Sequence, residues 1–284
     1  LVTGATGGLG RTLALACAAR GATVVLHGRV VRKLEALYDE IVAAGHPEPT
    51  ILPLDFASVT AAEAGQAAGA LRAQLGRLDA LVHTAAMLGS LGPLEHQSFD
   101  RWQQVLRVNL AVPMLLTRVL LPLLTNAPDA AIVFTLDTRA QDPRAYWGAY
   151  GASKAGLAAL AATLADETEQ RANLRVNAVS PGPMRSPLRT LTHPGEDKQP
   201  LPPPSALVPL FLYLAGGQAK RDSGQVYDGS AWLAGRPAAT APASWPESSA
   251  PRPRSTRCRS SSTGWPTASP SSPPSSSSPC SRSG

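Results

Sequence analysis

"LVTGATGGLGRTLA", residues 1–14, decides how the chain is read. Two apolar residues run into a turn holding Gly4, Gly7, Gly8 and Gly10, and a helical pattern follows at once. Glycine lets another group approach the main chain closely. The first turn of a helix carries unpaired N–H groups and the positive end of its dipole. Strand, glycine turn and helix in this order make a seat for a pyrophosphate. The spacing is Thr3-Gly4-x-x-x-Gly8-x-Gly10 rather than GxGxxG. A glycine turn alone can be purely structural. Here it opens a β-α-β unit, which favours dinucleotide binding.

Outward from that turn, short apolar runs alternate with helical patterns up to residue 235. Strands are expected at 23–26, 50–54, 80–83, 131–135, 175–179 and 225–227, with Leu1–Val2 the last part of another. Helices are expected at 9–20, 31–44, 59–75, 98–124, 149–171 and 205–215. This alternation predicts an α/β chain: a single Rossmann-fold domain over 1–235, its doubly wound parallel sheet covered on both faces. The abrupt start implies truncation at the N-terminus. Residues 236–284, rich in Pro, Ser and Arg, are expected to be disordered, because they offer too little apolar surface to offset ordering entropy. A basic arm for an acidic partner, or a frameshifted product, remain alternatives for that segment.

The composition, 44% hydrophobic and 16% charged, fits a soluble globular protein. No run of about 20 uninterrupted apolar residues suggests a membrane span, and no signal peptide is recognisable, so the expected address is cytoplasmic. Cys17, Cys258 and Cys280 form no disulfide framework, and His27, His46, His83, His96 and His193 show no ligand spacing, so no metal is expected. The net charge of +6 hints at nucleic acid, but six arginines and one glutamate lie beyond Gly235, leaving the preceding part at +1. The basic balance therefore says little about the folded part, and nucleic acid is not an expected partner.

The second strand ends in "VVLHGRVVRKLEAL". A carboxylate there would bind a ribose 2′-hydroxyl; Gly28-Arg29 instead offers a guanidinium, which suits a 2′-phosphate. NADP(H) is therefore expected over NAD(H). Asp55, followed by Phe56, sits where a carboxylate could accept from an adenine amino group, or simply cap the loop. Farther on, Tyr150 and Lys154 stand four apart and share one helix face. A phenol titrates near 10, and a nearby ammonium favours its ionised form. Tyr150 could then trade a proton with a reacting oxygen.

The ordered set "TGATGGLG", "LDALVHTAAMLG", "QVLRVNLAVPMLLTRVLLPLL", "WGAYGASKAG" and "LRVNAVSPGPMRS" resembles the short-chain dehydrogenase/reductase family, most closely its YciK-type bacterial oxidoreductases. The resemblance covers residues 1 to about 235. It implies a seven-stranded parallel sheet, a homodimer or homotetramer, and hydride transfer between a nicotinamide cofactor and a small carbonyl or alcohol. It puts Thr3, Gly4, Thr6, Gly8, Leu9 and Gly10 at the cofactor phosphates, and Thr84, Ala85 and Ala86 along the cofactor. Pro181 and Gly182 would lie beside the nicotinamide, with Ser186 at a carboxamide- or phosphate-binding position. Asn109 would hold a proton-relay water, Tyr150 would be the acid/base, and Lys154 would bind the nicotinamide ribose.

Three positions depart from the family pattern. Thr84-Ala85-Ala86 stands for Asn-Ala-Gly, and Gly7 replaces a frequent basic residue. Thirteen before Tyr150, where the family has a serine that donates to the substrate oxygen, the chain has Asp137. An ionised carboxylate only accepts, and losing such a donor costs on the order of 10²–10³ in rate. Thr138 could take the serine's place, or Asp137 could be held protonated; Thr138 is preferred because it needs no large pKa shift. Asp137 could also simply pair with Arg139 or Arg144. Met87, Leu88, Trp147, Pro183 and Met184 are expected to give an apolar substrate pocket under a lid at 187–204. A catalytically impaired NADP(H)-binding protein is the alternative function.

Overall fold

The computed structural model describes residues 1–219, 222–236 and 239–240. The expectation for 236–284 therefore lies outside the described residues, apart from Arg236 and the backbone of 239–240. One sheet runs in the order β3-β2-β1-β4-β5-β6-β7-β8. Its strands are β1 (Val2–Thr3), β2 (Val25–Gly28), β3 (Thr50–Pro53), β4 (Ala80–His83), β5 (Ala130–Thr135), β6 (Leu174–Ser180), β7 (Val226–Asp228) and β8 (Ala239–Thr240). The first seven are parallel, as the sequence implies, and β8 adds an antiparallel edge. From β1 the chain builds outward through β2 and β3, then returns to place β4 on the other side of β1. That reversal opens a crevice beyond the carboxyl ends of β1 and β4.

The helices are α1 (Gly8–Ala18), α2 (Val31–Ala43), α3 (Ala61–Leu75), α4 (Phe99–Leu106), α5 (Val112–Thr125), α6 (Gly148–Glu167), α7 (Pro187–Thr192), α8 (Val208–Ala215) and α9 (Gly229–Leu233). Every residue of β5 and β6 is buried, as expected of central strands covered on both faces. Alternate side chains divide between two cores. Ile132, Phe134 and Val176 join Leu116, Leu120 and Leu157 in one. Val133 and Val179 join Leu13, Leu34 and Phe211 in the other. The transfer of such side chains from water is the main driving force, about 1.5–3 kcal/mol for each large one fully buried.

Local chemistry sets most boundaries. At the start of α3, Thr60 and Glu63 form a reciprocal capping box. The helix expected at 205–215 starts as a 3-10 turn, Pro204–Leu207, and becomes α-helical only at Val208, with Pro209 in its first turn. The helix expected at 98–124 is continuous from Phe99 to Thr125 but changes to π geometry over Arg107–Ala111. Pro113 has no N–H to offer the Asn109 carbonyl four residues back, so the α register cannot continue unbroken there. Among the described residues this helix is long and apolar enough to cross a membrane by length and composition, and half of its most apolar stretch is buried in protein.

Candidate active site

The crevice at the strand reversal is a cleft of about 570 Å³. Its floor is the glycine turn. Gly4 has φ +68°, and a Cβ there would meet the Ala85 Cα at 2.9 Å. The Gly7 N–H donates to the Gly4 carbonyl at 2.9 Å and closes the turn. The N-terminus of α1 has no side-chain cap and no acidic residue in its first turn. Its N–H groups are thus free of a competing carboxylate, which suits an anionic ligand. Gly4, Thr6, Gly8 and Leu9 line the cleft, as do Arg29, Asp55 and Phe56 on the adjacent strand ends.

Two of the expected phosphate-loop residues stand behind the cleft wall. Thr3 is fully buried and does not line the cleft; its Oγ1 accepts from the N–H groups of Thr84 and Ala85 at 3.1 and 3.2 Å. Thr84 Oγ1 in turn donates to the Thr3 carbonyl. The threonine that departs from the family's asparagine thus bolts β4 to β1. Gly10 is also outside the cleft wall: a Cβ on it would lie 2.3 Å from the Gly4 carbonyl oxygen. Its missing side chain lets the helix pack closely on the turn.

His27 carries no motif that singles it out, yet it reaches the turn. Its Nδ1 accepts from the Gly4 N–H at 3.1 Å, which leaves Nε2 protonated to donate to the Leu54 carbonyl, also at 3.1 Å. Its ring stacks on Phe56, with centroids 4.2 Å apart. Burial pushes its pKa down to about 4, against the weaker upward pull of its bond to Leu54 and the charge of Asp55. A neutral imidazole therefore braces the turn.

At the other end of the cleft, β5 delivers Thr135, Leu136 and Asp137, and α6 presents Tyr150 and Lys154. Tyr150 Oη donates to Asp137 Oδ2 at 3.1 Å. Asp137 Oδ1 accepts from the Arg139 N–H at 3.0 Å and from Thr138 Oγ1 at 3.2 Å. The reason is local: Asp137 is extended (φ −151°, ψ 156°) and caps the 3-10 turn Thr138–Ala140, which carries its carboxylate to the tyrosine. Of the two residues, Asp137 and not the preferred Thr138 is hydrogen-bonded to Tyr150. Thr138 lines the cleft but is exposed, and its hydroxyl is spent on Asp137. Arg139 and Arg144 pair with Asp142, not with Asp137.

Lys154 is 3% exposed and donates to the Thr135 carbonyl at 2.8 Å. Burial lowers its pKa to about 8, with the charge of Asp137 opposing. Its Nζ is 5.7 Å from the Tyr150 ring centroid. Burial first, then the charge and hydrogen bond of Asp137, hold the Tyr150 pKa well above its ordinary value, in the direction an aspartate at 137 implies and against the pull expected of Lys154. Asn109 does not line the cleft. Its amide is committed to the Met87 N–H, the Met87 carbonyl and Ser153 Oγ, at 2.7, 2.8 and 3.0 Å. The π turn thus aims Asn109 at the loop after β4, and Asn109 fixes where Met87 enters the pocket.

Thr84, Ala85, Ala86, Pro181, Gly182 and Ser186 line the cleft, and so do Met87, Leu88, Trp147, Pro183 and Met184. Ser186 Oγ accepts from the Arg189 N–H at 3.1 Å, capping α7, a helix not anticipated within the lid segment. Arg189 grips Glu196 with two nitrogens, Nε at 2.6 Å. Among the described residues no group of three His, Cys, Asp or Glu side chains could hold a metal ion.

Residues 1–197 match the family model described as short chain dehydrogenase. The oxidoreductase YciK of Escherichia coli K12 is 38% identical over 228 residues, 80% of this chain and 90% of that one. Two crystal structures of short chain dehydrogenases superpose with a TM-score of 0.78 at 37% identity. One, from Shigella flexneri 2a, is a complex with NADP and is matched over 81% of this chain and 95% of that one. The other, from Escherichia coli CFT073, is a complex with NADPH and is matched over 80% and 94%.

Proposed function

The chain belongs to the short chain dehydrogenase family, and from that premise we propose that it is an oxidoreductase moving hydride between NADP(H) and a small polarised substrate, of which the carbonyl/alcohol pair is the family's form. The observation that carries this reading is the uncapped start of α1 above the glycine turn, at the strand reversal, in one cleft with Tyr150 and Lys154. The donor set fits a dinucleotide. Gly4, Gly8 and the α1 N–H groups would hold the pyrophosphate, and Arg29 a 2′-phosphate. The NADP and NADPH complexes of the two similar dehydrogenases support the phosphorylated coenzyme. Bound reduced, that coenzyme supplies a hydride. Lys154, charged below about pH 8, would hold the ribose, and Tyr150 would exchange a proton at the substrate.

Titrating the protein with NADPH and NADH by fluorescence, then screening carbonyls and alcohols for coenzyme turnover, tests the proposal. Saturable binding with NADPH favoured is expected; no binding of either at millimolar concentration would end it. One observation favours a second reading, an NADP(H)-binding protein impaired in carbonyl chemistry: the Tyr150 proton is already donated to Asp137. Binding without turnover of any carbonyl would support that reading. The family's homodimer or homotetramer and a cytoplasmic address go with either one, and are checked by sedimentation and cell fractionation.

A further inference from the structure

Asp137 is a carboxylate set against the reacting end of the cleft. Three donors converge on it, Tyr150 Oη, Thr138 Oγ1 and the Arg139 N–H, at 3.1, 3.2 and 3.0 Å. The cations around it make their hydrogen bonds elsewhere, although the charges of Lys154 and Arg189 are felt at Asp137. Arg139 and Arg144 serve Asp142, Arg189 serves Glu196, and Lys154 donates to the Thr135 carbonyl. Among the described residues no ion pair includes Asp137. A carboxylate outside any ion pair among the described residues, able only to accept, therefore faces the substrate where the reaction of a ketone would need a donor.

We propose that the substrate class of this site is an imine, reduced as its protonated form with the N–H donated to Asp137. This rests on the reading that a nicotinamide coenzyme occupies the cleft. A ketone oxygen gathers negative charge as hydride arrives, and a carboxylate at hydrogen-bond distance repels it. A protonated C=N begins positive and ends neutral, and its N–H finds the acceptor that is present. Neutral imines are poor hydride acceptors, and a nearby carboxylate favours the charged form of a base. Asp137 thus raises the fraction of substrate in the reactive form. In the step, hydride from the reduced coenzyme forms a C–H bond at the imine carbon. The C=N π pair becomes the nitrogen lone pair, the coenzyme is oxidised, and the substrate leaves as an amine. No proton has to leave Tyr150, which agrees with a phenol engaged to Asp137.

The test uses the full chain. NADPH is titrated into the wild type, Asp137→Ser and Asp137→Asn to establish that each binds coenzyme. Turnover of 2-methyl-1-pyrroline is then compared with that of 2-methylcyclopentanone. Wild type is expected to favour the imine by about 100-fold in kcat/KM, and Asp137→Ser to reverse that preference, because one charge-assisted donor–acceptor match is removed and the opposite one created. A second readout needs no turnover: pyrrolidine, protonated at neutral pH, should bind the NADP+ complex about tenfold more tightly than tetrahydrofuran. Asp137→Asn should erase that difference. A wild type that reduces the ketone as readily as the imine overturns the inference, as does equal binding of the two rings. Failure of all three proteins to bind NADPH overturns the coenzyme reading, and this inference with it. Normal coenzyme binding with an unchanged imine/ketone ratio in Asp137→Ser overturns this inference alone.

Discussion

Replacing Gly10 with alanine tests the packing that holds the glycine turn. The new Cβ would lie 2.3 Å from the Gly4 carbonyl oxygen, 2.6 Å from Thr84 Oγ1 and 2.9 Å from the Gly4 carbonyl carbon. The first is about 1.2 Å inside the roughly 3.5 Å at which such atoms begin to pack well. None of these neighbours can swing away. The Gly4 carbonyl accepts from Gly7, the Thr84 hydroxyl is tied to the Thr3 carbonyl, and Gly4 already abuts Ala85. The backbone itself must move. Overpacking of this kind costs about 1–3 kcal/mol, and the upper end applies where the clash is with main chain. The better helix propensity of alanine returns about 0.5–1 kcal/mol. A net loss of about 2 kcal/mol lowers the midpoint of thermal unfolding by about 4–8 °C in a domain of this size. NADPH affinity should fall more than about tenfold, since the displaced Gly4 lines the cleft. Gly69→Ala is the control: it is exposed within α3, and nothing lies within 4 Å of its added Cβ. That variant should gain about 0.5–1 kcal/mol. Calorimetry and fluorescence titration of the two variants decide the matter. A Gly10→Ala protein that melts with the wild type and binds NADPH equally well would refute the packing argument.

Tyr150→Phe should lower any carbonyl turnover by about 10²–10⁴ while sparing NADPH affinity. It should cost imine turnover less than about tenfold, because Asp137 keeps its bonds to Thr138 and Arg139. Steady-state kinetics on both substrates read this out. Arg29→Ala should weaken NADPH binding by about 10–100-fold and leave NADH within about twofold, measured by titrating each coenzyme. His27 carries a pH prediction. Its pKa is about 4 in the fold against an ordinary 6.5, so between those values the unfolded chain binds more protons. Stability is therefore lost as pH falls from about 6.5 towards 4, at up to about 1.4 kcal/mol per pH unit. His83, lowered to about 3 by burial, adds a slope of the same sign. His27→Gln keeps an acceptor for Gly4 and a donor for Leu54, and should flatten the His27 part. Urea midpoints at about pH 4.5, 5.5 and 6.5 would show it.

The fold was legible because its signals are local. Apolar runs of strand length marked β4 to within a residue, and the glycine turn, Arg29 and the Tyr150–Lys154 spacing marked the two ends of the cleft. What escaped depends on how side chains converge across the sheet. Nothing in "VVLHGR" says that His27 turns inward to hold Gly4. The spacing from Tyr150 points to Asp137 and Thr138, and the preference for Thr138 rests on its side chain alone, whereas it is the extended backbone at Asp137 that carries the carboxylate to Tyr150. For the Tyr150 pKa, spacing shows the lysine on its helix and an aspartate thirteen residues back that opposes it, but not the burial that contributes most to the rise. The π turn that aims Asn109 follows from Pro113, a signal that was present and unread.

One contact ties the two rims of the cleft together. Gly8 opens α1, and a Cβ on it would touch the Pro187 ring at 3.3 Å, where α7 begins. The phosphate seat and the first turn of the lid are therefore adjoining surfaces. With coenzyme bound as proposed, a shift of α7 would take a neighbour away from Gly8 in the glycine turn. On the proposed function, coenzyme seating and the position of α7 would therefore be felt at one and the same contact.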